Sequence, residues 1–143
     1  MADIFHDFGI KAPAAEVFKG FATSQGMDFW WTEKSSGKSG LMEEYVLGFG
    51  PGYEWRAKVT KYVQDKEFEL QMIKSDPDWQ GTRIGIQLEE KNRATQVRFY
   101  HTGWRELSEH YRFSSYCWAM YLRILKRYLE KGEQVPFENR LDV

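Results

Sequence analysis

The segment LSEHYRFSSYCWAMYLRILKRYLEK, residues 107–131, tells what the rest of the chain must pack against. Stepped at about 100° per residue, Cys117, Trp118, Tyr121, Leu122, Ile124, Leu125, Tyr128 and Leu129 fall within one arc. Arg112, Arg123, Lys126, Arg127 and Glu130 fall opposite them. Gly132 follows, where a left-handed residue ends a helix without steric cost. The pattern predicts one long amphipathic helix over Leu107–Lys131, whose broad apolar stripe requires an apolar surface to cover it.

The upstream chain supplies that surface as strands. Ile4 to Ile10 alternates, with Ile4, Phe8 and Ile10 on one face. Ala12-Pro13 then opens a short helix over Ala14–Phe21, since proline suits a first helical turn. Gly26 is expected to interrupt it, with Met27–Trp31 forming a second short helix or turn. Ser35-Ser36-Gly37-Lys38-Ser39-Gly40 has the composition of a flexible loop. Leu41–Leu47 reads as a strand, followed by the turn Gly48-Phe49-Gly50-Pro51-Gly52. Tyr53, Trp55, Ala57 and Val59 then alternate with polar residues, as do Phe68, Leu70 and Met72. Asp76-Pro77-Asp78 is a turn, and Ile84, Ile86 and Leu88 form the next strand face. Val97, Phe99 and His101 close the series. The links are too short for crossover helices, so the strands run antiparallel. The fold class is α+β: a curved antiparallel sheet of about six strands wrapped on a long C-terminal helix, with two short helices after the first strand.

The chain has 143 residues, and residues 1–143 read as a single domain. Twenty Lys and Arg against 21 Asp and Glu give a formal charge of -1, which argues against nucleic-acid binding. The longest apolar run, Tyr116 to Leu122, is too short to cross a membrane, and the first residues carry no secretory signal. One cysteine, Cys117, allows no intrachain disulfide and fits a reducing, cytoplasmic compartment. Aromatic residues make up 17% of the chain, enough to wall a cavity as well as fill a core.

The motifs that carry chemistry are few. Gly37-Lys38-Ser39 resembles the end of a phosphate loop, but Thr32 stands where the first glycine is required. His6, His101 and His110 could all face the space between sheet and helix, yet their spacing matches no compact ligand pattern, so neither metal nor other cofactor is expected. His110, Ser114 and Cys117 share one helix face, but a mid-helix cysteine lacks the setting that activates a thiolate. These three are small or polar, whereas Tyr121, Ile124 and Leu125 further along the stripe are large. A stripe that shrinks while staying inward leaves room beneath it. The candidate cavity is lined by Trp55, Phe99, His101, His110, Ser114, Cys117 and Tyr121, with aromatic walls and polar anchors.

Three local patterns connect these elements to known proteins. They are Ile10-Lys11-Ala12-Pro13 through Glu16-Val17-Phe18, the pair Trp30-Trp31, and His101-Thr102-Gly103-Trp104 entering the last helix. Trp118, then Leu125 through Glu130 and Gly132, extend the likeness. In this order they resemble the START-like, or SRPBCC, superfamily, whose helix-grip fold is shared by birch-pollen-type allergens, lipid-transfer domains and polyketide cyclases. Within it, the chain resembles the family of the C-terminal domain of the activator of the 90-kDa heat-shock chaperone's ATPase. The eukaryotic co-chaperone carries a further N-terminal domain, for which this chain has no room. The resemblance therefore implies the fold before it implies a chaperone partner.

The function expected is a small cytoplasmic module, more a binder than an enzyme, holding a hydrophobic or aromatic small molecule between sheet and helix. One alternative is a cyclase or hydrolase using His101 or His110 as general base. Another is a chaperone-activator-like domain binding protein through the outward face of the sheet.

Overall fold

A computed structural model describes residues 2–143. Strand β1 (Ala2–Ile10) leads into α1 (Ala14–Ala22) and α2 (Ser24–Met27). Six strands follow: β2 (Lys34–Gly37), β3 (Glu44–Gly48), β4 (Glu54–Val63), β5 (Glu67–Lys74), β6 (Arg83–Lys91) and β7 (Ala94–Trp104). Helix α3 (Glu109–Lys131) and a 3-10 segment, Phe137–Asp142, complete the chain. The sheet runs in the order β1-β7-β6-β5-β4-β3-β2, and every pair is antiparallel. Its alternating inward residues, among them Ile4, Val59, Leu70, Ile86 and Phe99, join Val17, Phe18, Trp118, Leu122 and Leu125 in one core. This is the α+β helix-grip arrangement predicted from the alternation and the stripe.

The sheet has seven strands where the sequence indicated about six. The additional strand, β2, takes in Ser35–Gly37, the first half of the stretch whose Ser and Gly content suggested a flexible loop. Its order comes from outside itself. Ser35 faces Leu47 across the β3 pairing, and the Asp28 carboxylate accepts hydrogen bonds from Ser35 N at 2.8 Å and Oγ at 2.9 Å. No hydrophobic alternation was needed, so none was visible.

Gly26 also differs from expectation. It sits inside α2, which ends at Met27, and Asp28–Trp31 continues as a turn. Thr23 caps α2 by accepting from Gly26 N at 2.9 Å. A Cβ at Gly26 would lie 2.0 Å from the Lys19 carbonyl, so glycine allows α2 to fold back against the end of α1.

Helix α3 starts two residues later than its periodicity suggested, at Glu109, because the Ser108 side chain accepts from Tyr111 N and caps it there. Gly132 stops it with φ 72°. Leu125 is fully buried against Gly20 of α1, whereas Arg123 is exposed. Leu125→Ala should therefore cost about 3 kcal/mol and Arg123→Ala about 0.5 kcal/mol or less. Equal shifts in urea midpoint would show that the helical phase is wrong. Among the described residues, no helix is long and apolar enough to cross a membrane.

Candidate functional site: an aromatic cavity between sheet and helix

Side chains at positions 110, 113, 114, 117, 118 and 121 recur every three or four residues, so they share one face of α3. Opposite that face the curved sheet and its loops contribute Trp31, Phe49, Tyr53, Trp55 and Trp79, and together they enclose a cavity of about 300 Å³. The walls interlock: ring centroids lie 5.0 Å apart for Trp55 and Trp79, 5.1 Å for Phe49 and Trp55, and 5.2 Å for Trp31 and Trp118. Tyr53 and Phe113 are largely exposed at the rim. Among the described residues, no Asp, Glu, Lys or Arg lines the space.

Five of the seven residues proposed from the sequence are brought together here: Trp55, His110, Ser114, Cys117 and Tyr121. Phe99 and His101 do not reach the cavity and stand as corrections to its predicted lining. Both are fully buried in a deeper layer. Trp118, itself a cavity wall, packs 4.7 Å from the Phe99 ring, and Trp79 packs 4.5 Å from the His101 ring. Strand parity indicates which side of the sheet a residue faces, but not whether another side chain covers it.

His101 is held by a closed set of hydrogen bonds. Thr82 Oγ1 donates to the Trp79 carbonyl at 2.6 Å, so it accepts from His101 Nε2 at 2.8 Å. His101 Nδ1 in turn accepts from Trp118 Nε1 at 3.0 Å. Burial, helped by the nearby His110, lowers its pKa from 6.5 to about 3. His101 is thus a neutral imidazole with both nitrogens engaged, and it has no free lone pair with which to act as a base in the cavity. His110 is placed differently: it lines the cavity and its Nδ1 lies 3.2 Å from Asp78 Oδ2.

The remaining polar groups are neutral. Ser114 Oγ accepts from Trp79 Nε1 at 3.3 Å, tying the helix to the 3-10 turn Pro77–Trp79. Burial pushes the Cys117 thiol up, which keeps it protonated and a poor nucleophile. Burial, and then Cys117, raise Tyr121 against the opposing influence of Arg140. Among the described residues, no group of three or more His, Cys, Asp and Glu side chains is placed to hold a metal ion. His6, which sequence parity turned toward the same space, instead bonds the Ser115 carbonyl at 3.2 Å.

Trp31, Phe49, Tyr53, Trp79, Phe113 and Trp118 also line the cavity without being among the residues expected from the sequence, and of those from the sheet side Trp31 and Trp79 are buried. The signal for Trp79 was slight, a large apolar residue directly after a proline turn. Trp31, which the sequence presents only as half of the Trp30-Trp31 pair, is another of the cavity's walls.

Comparison with known proteins places this geometry in a family. The family described as "Activator of Hsp90 ATPase homolog 1-like protein" matches residues 11–130. The solution structure of the Aha1 dimer from Colwellia psychrerythraea is 34% identical, covers 93% of this chain and 99% of its own, and superposes with a TM-score of 0.84. Two more distant structures share the fold. SSP2350 from Staphylococcus saprophyticus is 20% identical, with 94% and 96% of the two chains covered and a TM-score of 0.77. CalU16 from Micromonospora echinospora is 15% identical, with 96% and 83% covered and a TM-score of 0.74. No curated protein matches the chain. The match over most of the sequence, on a sheet that grips one long helix, means that the chain belongs to the activator of Hsp90 ATPase homolog 1-like family.

Proposed function

We propose that the protein is a small binding domain that takes an apolar, aromatic molecule into the cavity between sheet and α3. The observation that carries this reading is the lining itself: about 300 Å³ walled by aromatic rings and free of charged carboxylates and amines. That volume lies at the lower end of small-molecule sites, which run roughly 300–1,000 Å³. Flat rings suit a slot of this kind, and Ser114, Cys117 and Tyr121 offer weakly polar contacts at one wall. The single cysteine allows no intrachain disulfide, and the proposal accordingly puts the protein in a reducing compartment, the cytoplasm.

Cys117→Phe tests the reading. The thiol makes no hydrogen bond that the substitution would break among the described residues, and it borders the open space. A ring placed there should fill the cavity at a stability change below about 1 kcal/mol, where a close-packed site would lose about 1–3 kcal/mol. Binding of 8-anilinonaphthalene-1-sulfonate, followed by fluorescence, should fall at least about tenfold, a loss of roughly 1.4 kcal/mol. Wild-type protein that binds no apolar probe and retains none in native mass spectrometry would overturn the proposal. A chaperone partner engaging the outward face of the sheet would be indifferent to Cys117→Phe, which separates that reading from this one. Turnover governed by the His110–Asp78 pair would instead appear as a pH-dependent rate.

A further inference from the structure

We infer that Arg140, on the segment that follows α3, is a positioning residue that holds the Trp31 wall of the cavity in place; this rests on the binding reading above. Arg140 is almost wholly buried, yet it forms no ion pair with a carboxylate among the described residues. Its guanidinium is spent on main-chain carbonyls. Nη2 donates to the Asp28 carbonyl at 2.7 Å, Nη1 to the Thr32 carbonyl at 3.0 Å, and Nε to the Val135 carbonyl at 3.1 Å. The Phe137 ring lies 5.5 Å from its charged carbon.

The two carbonyls from the earlier loop bracket Trp31. Residues 28–32 follow directly on α2, where Trp31 N and Thr32 N both bond back to the Met27 carbonyl. Carbonyls at such a helical end have no partner within the turn. The planar fork of one guanidinium reaches both from separate nitrogens in a fixed geometry, whereas an ammonium has a single nitrogen on a flexible stem. The loop is thereby fastened at both ends while Trp31 presses on Trp118 and Phe49. Tyr121 provides a second link, since it lines the same cavity and lies within the electrostatic reach of Arg140.

Arg140 lies outside residues 11–130, the part matched by the family description. The clamp is made by the 3-10 segment Phe137–Asp142, which follows that matched part. It sets how far Trp31 stands from the α3 face, and so which ring systems the slot accepts. Released, the loop would let Trp31 move and the slot lose its shape.

The test uses the full chain with Arg140→Ala, Arg140→Lys and, as a control, the core variant Ile124→Val. In Arg140→Ala, amide exchange at residues 28–32 should quicken at least about tenfold, and the affinity for 8-anilinonaphthalene-1-sulfonate should fall by about the same factor. Arg140→Lys, which keeps the charge but not the fork, should recover only part of both. Ile124→Val should lower the unfolding midpoint while leaving probe affinity and exchange at 28–32 as in wild type. Arg140→Ala that binds the probe as wild type does, or a loss that Ile124→Val reproduces, would overturn the inference. If wild type itself binds no probe, the binding reading fails, and exchange at 28–32 still judges the clamp. Unchanged exchange would sink it.

Discussion

Trp118→Ala should leave the protein close to unfolded. Trp118 is buried at the point where the cavity meets the core, with Trp31, Trp79, Phe99 and Trp30 around it. Removing so large a side chain from a packed interior costs about 3–5 kcal/mol. The same change strips His101 Nδ1 of its donor, and an unpartnered buried acceptor adds about 1–3 kcal/mol. The sum approaches the whole stability of an ordinary domain, about 5–15 kcal/mol. Trp118→Phe retains most of the packing and loses the donor, so it should fall well short of the alanine variant. Urea denaturation followed by circular dichroism decides the matter. If Trp118→Ala cost no more than Trp55→Ala, at a half-buried wall, Trp118 would not be the hinge between core and cavity.

Acid should destabilise the protein before any carboxylate with a lowered pKa begins to act, and His101 is the reason. In the folded chain its pKa is depressed to about 3 by burial and by His110, against 6.5 for an open histidine. The unfolded state therefore takes up a proton that the folded state refuses. The stabilising contribution is complete above about pH 6.5 and is lost progressively as pH falls from there toward about 3. At about 1.4 kcal/mol per unit of difference, the whole span is on the order of 5 kcal/mol. Glu69 acts lower. Burial alone would raise it, but hydrogen bonds from Tyr100, Thr60 and Arg83, with the charge of Lys61, outweigh that and hold it below the usual 4.5. The window between about pH 4.5 and 6.5 is thus dominated by His101. Urea midpoints measured across that window should slope in wild type and flatten in His101→Gln. A slope unchanged by the substitution would mean that His101 is not buried as a neutral ring.

Much of the architecture was legible because it depends on periodicity, which a few neighbouring residues are enough to display. The stripe from Cys117 to Leu129 and the alternation in β4, β5, β6 and β7 each record which side of an element is buried. Antiparallel pairing then followed from short links. The shrinking volume from Tyr121 back to His110 pointed to the cavity on the same basis, and Trp55, Ser114 and Cys117 are found there.

Glu69 shows where that local record stops. Its place opposite Phe68 and Leu70 reads as a solvated strand position, and it does face away from the core. The Tyr100 ring, lying over Gly85 from the neighbouring strand, nevertheless covers it, and the Tyr100 hydroxyl bonds its carboxylate. Strand β2 is ordered by Asp28 and β3, His101 is removed from the cavity by Trp79 and Trp118, and Trp31 is fastened by Arg140 from the far end of the chain. The sequence by itself determined which faces are apolar, because hydrophobic burial is read from each residue's own type and its nearest neighbours in the helix or strand. Only the tertiary structure decided which of those residues meet open space and which lie one layer deeper, because that depends on side chains and hydrogen bonds arriving from segments as much as a hundred residues away.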